Sequence, residues 1–153
     1  MMEEKEKAWK TVSSKYLFRR PWLTVRCEDM LLPNGNHIPE YYILEYPDWV
    51  NTIAITKDGK FVFVRQYRPG LGRTSYELCA GVCDKEDASP LVSAQRELWE
   101  ETGYGKGNWQ EYMVISANPS THTNLTHCFL ATDVEPIDHQ HPVSYTHLRA
   151  HET

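Results

Sequence analysis

No apolar run in the 153 residues approaches the roughly 18 that a membrane-crossing helix needs. The first ten residues are charged and carry no apolar stretch, so they do not read as a secretory signal. Basic residues are in short supply. Sixteen Lys and Arg stand against 21 Asp and Glu, a net charge of −5, and no basic cluster offers a nucleic-acid face. Cysteine is scarce as well. Cys27, Cys79, Cys83 and Cys128 match no zinc spacing and read as reduced thiols of a cytoplasmic protein. Repeats and low-complexity stretches are absent. What remains, 41% hydrophobic and 24% charged residues, is ordinary for one globular domain with its own core. These absences exclude a membrane or nucleic-acid partner, although an acidic chain still binds phosphates if it brings a cation to them.

Turn chemistry divides the chain. A polar lead runs into Trp9–Phe18, an arm of scattered aromatics. Trp22–Leu32 and Ile38–Tyr46 flank Pro33-Asn34-Gly35-Asn36 and predict a hairpin. Val50–Thr56 and Phe61–Tyr67 flank Lys57-Asp58-Gly59-Lys60 in the same way, and a glycine-containing loop, Pro69–Thr74, leads to a short strand, Tyr76–Ala80. Ser89-Pro90 supplies an N-cap with proline at the first helical position, and Gly103 stands at a C-cap place, so a helix is expected over Pro90–Thr102. Strands at Tyr112–Ser116 and Thr126–Val134 follow, joined by the loop Asn118–Asn124. Strands in hairpins around a helix give an α+β domain with a mixed sheet.

At about 100° per residue, Leu91, Ala94, Leu98 and Thr102 share one side of that helix, with Trp99 beside them, and form the expected buried face. Glu97, Glu100 and Glu101 fall together on a neighbouring arc about 100° wide. Near a helix C-terminus the macrodipole disfavours each carboxylate by up to roughly 1 kcal/mol, and like charges repel. A solvated acidic surface and a divalent cation site both accommodate such an array; hard oxygen ligands suit Mg²⁺ or Mn²⁺.

The surrounding residues resemble the Nudix hydrolase box, G-x5-E-x7-R-E-U-x-E-E-x-G-U with U bulky and apolar. The chain supplies Gly81, Arg96, Glu97, Leu98, Glu100, Glu101 and Gly103, with Tyr104 in the last place. Fourteen residues separate Gly81 from Arg96 where the pattern has thirteen, so the loop before the helix carries a one-residue insertion. Either Glu86 or Asp87 then fills the first acidic position. The resemblance implies a Nudix-type fold: a mixed β-sheet packed with helices as an α/β/α sandwich, preceded by an N-terminal hairpin arm. It implies Glu97 and Glu101 as main metal ligands, Glu100 as a direct or water-bridged one, and the Ala80 carbonyl as a further ligand. Glu100, Glu101 and Arg96 are then the catalytic group, with Arg96 orienting a glutamate, while Gly81 and Gly103 serve backbone geometry.

Gln66-Tyr67-Arg68, Tyr76-Glu77-Leu78-Cys79-Ala80-Gly81 and Pro119, fifteen residues beyond Tyr104, are similar to the ADP-ribose and nucleoside-diphosphate-sugar pyrophosphatase branch. That branch has proline where this chain has Cys79. The likeness implies Mg²⁺-dependent cleavage of a nucleoside diphosphate sugar to a nucleoside monophosphate and a sugar phosphate. Other readings are a Nudix hydrolase of NADH-like dinucleotides or nucleoside triphosphates, and a non-catalytic nucleotide sensor. Arg68 and Glu77 are candidate substrate-binding residues. Tyr67 and Trp49 read as core aromatics, His122 and His127 as ordinary loop and strand residues. A homodimer, paired through the N-terminal arm, is expected by analogy.

Three segments are expected: an arm and hairpin over 1–46, the hydrolase domain over 47–141, and a foreign tail over 142–153. The tail, PVSYTHLRAHET, resembles a translation of the transposon-end adaptor used in sequencing libraries. A natural C-terminal part is therefore expected to be missing after about His141, and with it the general base, a glutamate in this branch, and a closing helix.

Overall fold

The computed structural model describes residues 8–137 and 150–152. The chain divides into two compact units, one formed by residues 1–46 with 116–124, the other by 47–115 with 125–153.

In the first unit β1 (Lys10–Arg20), β2 (Leu23–Leu31) and β3 (His37–Glu45) make an antiparallel sheet in the order β1-β2-β3. The expected hairpin joins β2 to β3. Gly35, at φ 84°, turns the chain, its N–H donates to Leu32 O at 3.0 Å, and Asn34 Oδ1 accepts from Asn36 N at 3.0 Å. The arm, expected as scattered aromatics with no element assigned, is a full strand. Register shifts between Thr11 and Ser13 and between Tyr16 and Phe18 break its alternation, which hides it from a period-two reading. The segment 116–124 lies against β3, with Leu44 N donating to Thr121 O at 2.8 Å and Thr123 N to Leu44 O at 3.1 Å.

The second unit is built around β4 (Trp49–Thr56) and β10 (Thr126–Pro136), which pair in parallel. One edge of β4 is shared by β5 (Phe61–Arg68) and β7 (Cys79–Val82), both antiparallel. The outer edge of β10 takes β9 (Asn108–Ile115) and the two-residue β8 (Tyr104–Gly105). β6 (Arg73–Glu77) pairs with β5 after a 3-10 turn at Pro69–Leu71, and β11 (Ala150–Glu152) also pairs with β5. The sheet is mixed, as expected. The single strand expected over Tyr76–Ala80 is two strands. The chain leaves the β5 edge at Leu78 and continues against β4, because each half finds a different partner. Of the expected tail, residues 142–149 and Thr153 lie outside the described residues.

Among the described residues one α-helix, α1 (Pro90–Thr102), packs on this sheet. Its ends are set by local chemistry. Ser89 caps the N-terminus with its side chain accepting from Val92 N, and Gly103 closes the C-terminus at φ 75°, donating to Trp99 O. Alternate residues of β4 (Val50, Thr52, Ala54, Thr56) are buried, and with Val62, Val64, Ala94, Leu98, Phe129 and Ala131 they form the core. The buried face of α1 keeps the expected Ala94, Leu98 and Thr102 and departs from the helical-wheel expectation at its flanks. Ser93, Ala94, Leu98, Glu101 and Thr102 are buried, whereas Leu91 and Trp99 are exposed. The helix is rolled so that Glu101 is turned inward, with Glu97 half-buried beside it.

Candidate active site

The roll of α1 brings Glu97 and Glu101 against β7. The Glu101 carboxylate, only 8% exposed as a residue, accepts from Ala80 N at 3.3 Å. Glu97 lies over Gly81, where a Cβ would collide with its carboxyl group. It also accepts from the Val82 backbone N–H. Burial, and then repulsion from Glu97, push the Glu101 carboxyl up to about 7. The Ala80 N–H, Arg68 and the Cys79 thiol oppose that rise. Glu97 is raised too, by burial first, against Arg96 and with Glu100 adding repulsion. Glu100 is more exposed, at 37% of its side chain.

Arg96 ties this acidic side to the loop before the helix. Its Nη1 donates to Glu97 Oε1 at 2.9 Å and to Glu100 Oε2 at 3.2 Å, and its Nη2 to Val82 O at 3.0 Å. Its Nε reaches Asp87 Oδ2 at 3.2 Å, and Asp84 Oδ2 stands 3.3 Å from Nη2. Asp87 also accepts from Ser93 Oγ at 2.8 Å. Glu86 points to solvent. Of the two acids left open by the insertion, Asp87 is the one that engages the helix.

The geometry therefore groups Arg96, Glu97, Glu100, Glu101, Ala80 and Gly81, while Gly103 caps the same helix. Arg68 and Glu77 form a second cluster on β5 and β6, joined by Nε and Nη2 contacts of 2.6–3.1 Å. It is close enough to the first for Arg68 and Glu101 to stabilise each other's charge. Sequence reasoning missed Gln66 and Ser75, which both donate to Glu77. The available signal was the alternation of Gln66 with Arg68 and of Ser75 with Glu77. Tyr67, read as core, is exposed. His127 is in an ion-pair position, with Nδ1 2.7 Å from Glu111 and Nε2 3.7 Å from Asp48. Pro119 is an exposed residue of the first unit.

Among the described residues no three acidic, histidine or cysteine side chains converge as a ready-made metal site. Arg96 stands between Glu97 and Glu100, and Glu101 is engaged by Ala80 N. The donor set nevertheless fits a hard divalent cation in kind. A buried carboxylate, Glu101, and a half-buried one, Glu97, repel each other, both are shifted toward the neutral form, and a cation relieves each of those costs.

Residues 46–150 match the model of the NUDIX domain. The chain belongs to the Nudix hydrolase family. Residues 9–44 match a second model, the nucleoside diphosphate sugar hydrolase N-terminal domain. Among curated relatives, the chain is 32% identical to an ADP-ribose pyrophosphatase of Bacillus subtilis, over 84% of this chain and 69% of that protein. It is 33% identical to a methanol dehydrogenase activator of Bacillus methanolicus, over 80% of this chain and 65% of the relative. This Nudix chain thus spans about two thirds of the length of those relatives. A crystal structure of an ADP compounds hydrolase superposes with a TM-score of 0.81 at 22% identity, covering 94% of this chain and 77% of the other, and it shares the fold. No helix among the described residues is long and apolar enough to cross a membrane.

Proposed function

We propose that this Nudix protein hydrolyses the phosphoanhydride of ADP-ribose or a related nucleoside diphosphate sugar, releasing a nucleoside monophosphate and a sugar phosphate. The observation that carries this reading is the mutually repelling pair of half-buried Glu97 and buried Glu101, set against the backbone at Ala80 and Gly81. The likeness to an ADP-ribose pyrophosphatase and the match to the nucleoside diphosphate sugar hydrolase N-terminal domain support the substrate class.

Glu97 and Glu101, with Glu100 and the Ala80 carbonyl, would hold Mg²⁺ or Mn²⁺. When bound, such an ion neutralises phosphate charge and acidifies a water. Arg96 keeps the Glu97 carboxylate from rotating away and offsets the charge of its neighbour Glu100. Arg68 offers a guanidinium to the diphosphate beside Glu101, with Glu77 at its side. Four free cysteines suit a reducing, cytoplasmic setting. The exposed Val12, Tyr16, Phe18 and Trp22 on and beside β1 suit a homodimer, which light scattering after gel filtration would test.

The experiment is hydrolysis of a panel of nucleoside diphosphate compounds with Mg²⁺, wild type beside Glu101→Gln. AMP released from ADP-ribose by the wild type and lost in the variant is the expected result. Turnover of NADH or a nucleoside triphosphate alone would shift the substrate class, and nucleotide binding without any turnover would make the protein a sensor.

A further inference from the structure

We propose that Glu77 is a positioning residue for Arg68, locked in that role by Gln66 and Ser75, so that the β5–β6 ribbon presents one edge of the Arg68 guanidinium to the diphosphate. The inference rests on the reading of the Glu97–Glu101 site as a phosphoanhydride hydrolase.

The strand register makes the arrangement necessary. Gln66 stands opposite Ser75, Val64 opposite Glu77 and Arg68 opposite Arg73. Opposed residues share a face, and so do alternate ones. Gln66, Arg68, Ser75 and Glu77 therefore all project from the same side of the ribbon. Along the strand, Arg68 and Glu77 are separated by four residue steps, about 13 Å at a rise of about 3.3 Å each. They meet only because the arginine lies back over the Gln66–Ser75 pair. Nε then reaches Oε1 at 3.1 Å and Oε2 at 3.0 Å, and Nη2 reaches Oε2 at 2.6 Å.

The carboxylate of Glu77 is fully used by this frame. Ser75 Oγ donates to Oε1 at 2.7 Å and Gln66 Nε2 to Oε2 at 3.2 Å. With the arginine contacts these fill the roughly four acceptor positions of a carboxylate. Neither a metal ion nor a sugar hydroxyl finds a lone pair there. Gln66 is buried and so holds a fixed rotamer, and Ser75 is half-buried. The frame is rigid at its base and ends in a charge. Among the described residues, Arg68 Nη1 takes no partner, and the guanidinium, held on Glu77, is near enough to Glu101 to feel its charge. Without Glu77 nothing described would fold Arg68 back. Its side chain, already at the end of β5, would extend past Pro69–Leu71 instead.

A double-mutant cycle separates this role from direct contact with the substrate. The variants are Arg68→Ala, Glu77→Ala and the double variant, assayed on ADP-ribose at fixed Mg²⁺. Arg68→Ala is expected to lower kcat/KM by about 10- to 100-fold, the range for a hydrogen bond to a charged group. Glu77→Ala should cost a similar or smaller factor alone, and nothing further in the Arg68→Ala background. Costs that multiply would overturn the inference. Mn²⁺ affinity, read by electron paramagnetic resonance, should be the same in Glu77→Ala as in the wild type, and a weaker ion would make Glu77 a ligand and likewise overturn it. A third readout needs no turnover. The Nε–Hε resonance of Arg68, assigned by its loss in Arg68→Lys, should be observed in the wild type and lost to solvent exchange in Glu77→Gln. If it persists there, the inference fails. A wild type that hydrolyses no compound sinks the functional reading instead, and the resonance and the Mn²⁺ affinity then decide whether Glu77 serves Arg68.

Discussion

The carboxyl group of Glu97 fills the space that a Cβ on Gly81 would occupy. The first glycine of the box is thus required for room, so that a helix side chain can lie on the β7 backbone. The obstructed group is the far end of a flexible side chain, so Gly81→Ala is expected to displace Glu97 rather than unfold the sheet. Its melting temperature should stay within about 2–4 °C of the wild type, the shift that 1 kcal/mol produces at this size. Mn²⁺ affinity should fall about tenfold or more, a change of about 1.4 kcal/mol. Calorimetry and electron paramagnetic resonance measure the two. An unchanged affinity would remove Glu97 from the proposed ligands.

Asp87 and Glu86 are neighbours with opposite fates. Asp87 accepts from Ser93 and Arg96, which hold its carboxyl below the usual range, the Ser93 hydrogen bond being the largest cause and burial opposing. Glu86 is exposed. Asp87→Asn is therefore expected to lower the melting temperature and reduce hydrolysis, because Arg96 loses the anchor that aims it at Glu97. Glu86→Gln should leave both unchanged. Equal effects of the two substitutions would mean that the insertion is absorbed differently from the geometry described.

The helix was legible in the sequence to the residue, because Ser89, Pro90 and Gly103 act through their own neighbours. The three glutamates were legible as a group because helix geometry alone puts them on one arc. Which side of the helix is buried was legible at Ala94, Leu98 and Thr102 but not at its flanks. Periodicity favoured Leu91 and Trp99, yet Ser93 and Glu101 go inside, because the orientation of α1 is decided by partners distant in sequence: Arg96 on Val82 O, and Glu101 on Ala80 N. The break at Leu78 escaped notice for a similar reason. Both halves read as strand, and only the third dimension reveals that they pair with different neighbours. β1 was obscured by its own bulges. The substrate side depended on resemblance for Arg68 and Glu77, while Gln66 and Ser75, which hold them, show only their alternation with Arg68 and Glu77 until the register is known.

Glu101 is a buried charge kept for something other than stability. Burial and then Glu97 raise its carboxyl from 4.5 to about 7, so at pH 8 without divalent cations it is ionised at a cost. That cost is on the order of 3 kcal/mol. Removing the charge should help the apoprotein. At pH 8 in chelator, Glu101→Gln is expected to melt above the wild type. With millimolar Mg²⁺ the order should reverse, since a bound cation stabilises only the chain that retains its ligands. Thermal melts of both proteins with and without Mg²⁺ test this. A wild type that melts higher in chelator would show that Glu101 is held by its hydrogen bonds more strongly than it is penalised by burial.

Glu28 shows the opposite balance, in the first unit. Burial works to raise its carboxyl, but hydrogen bonds from Arg26 at 2.6 Å, Thr11 at 3.1 Å and Ser14 at 3.3 Å outweigh it, and the net shift is downward from 4.5. Thr11 and Ser14 belong to β1, and Arg26 also pairs with Glu45 of β3, so the carboxylate ties the three strands together. A carboxyl whose folded pKa lies below its unfolded value stabilises the fold above the unfolded value, and that stability disappears as the pH falls through the folded one. The wild type should therefore exceed Glu28→Gln in urea midpoint at pH of about 7, and the gap should close as the pH drops below about 4.5. Urea titrations of both proteins across that interval measure it. A gap that stays constant down to the lowest pH at which the protein folds would mean that Glu28 contributes through packing, since packing does not titrate.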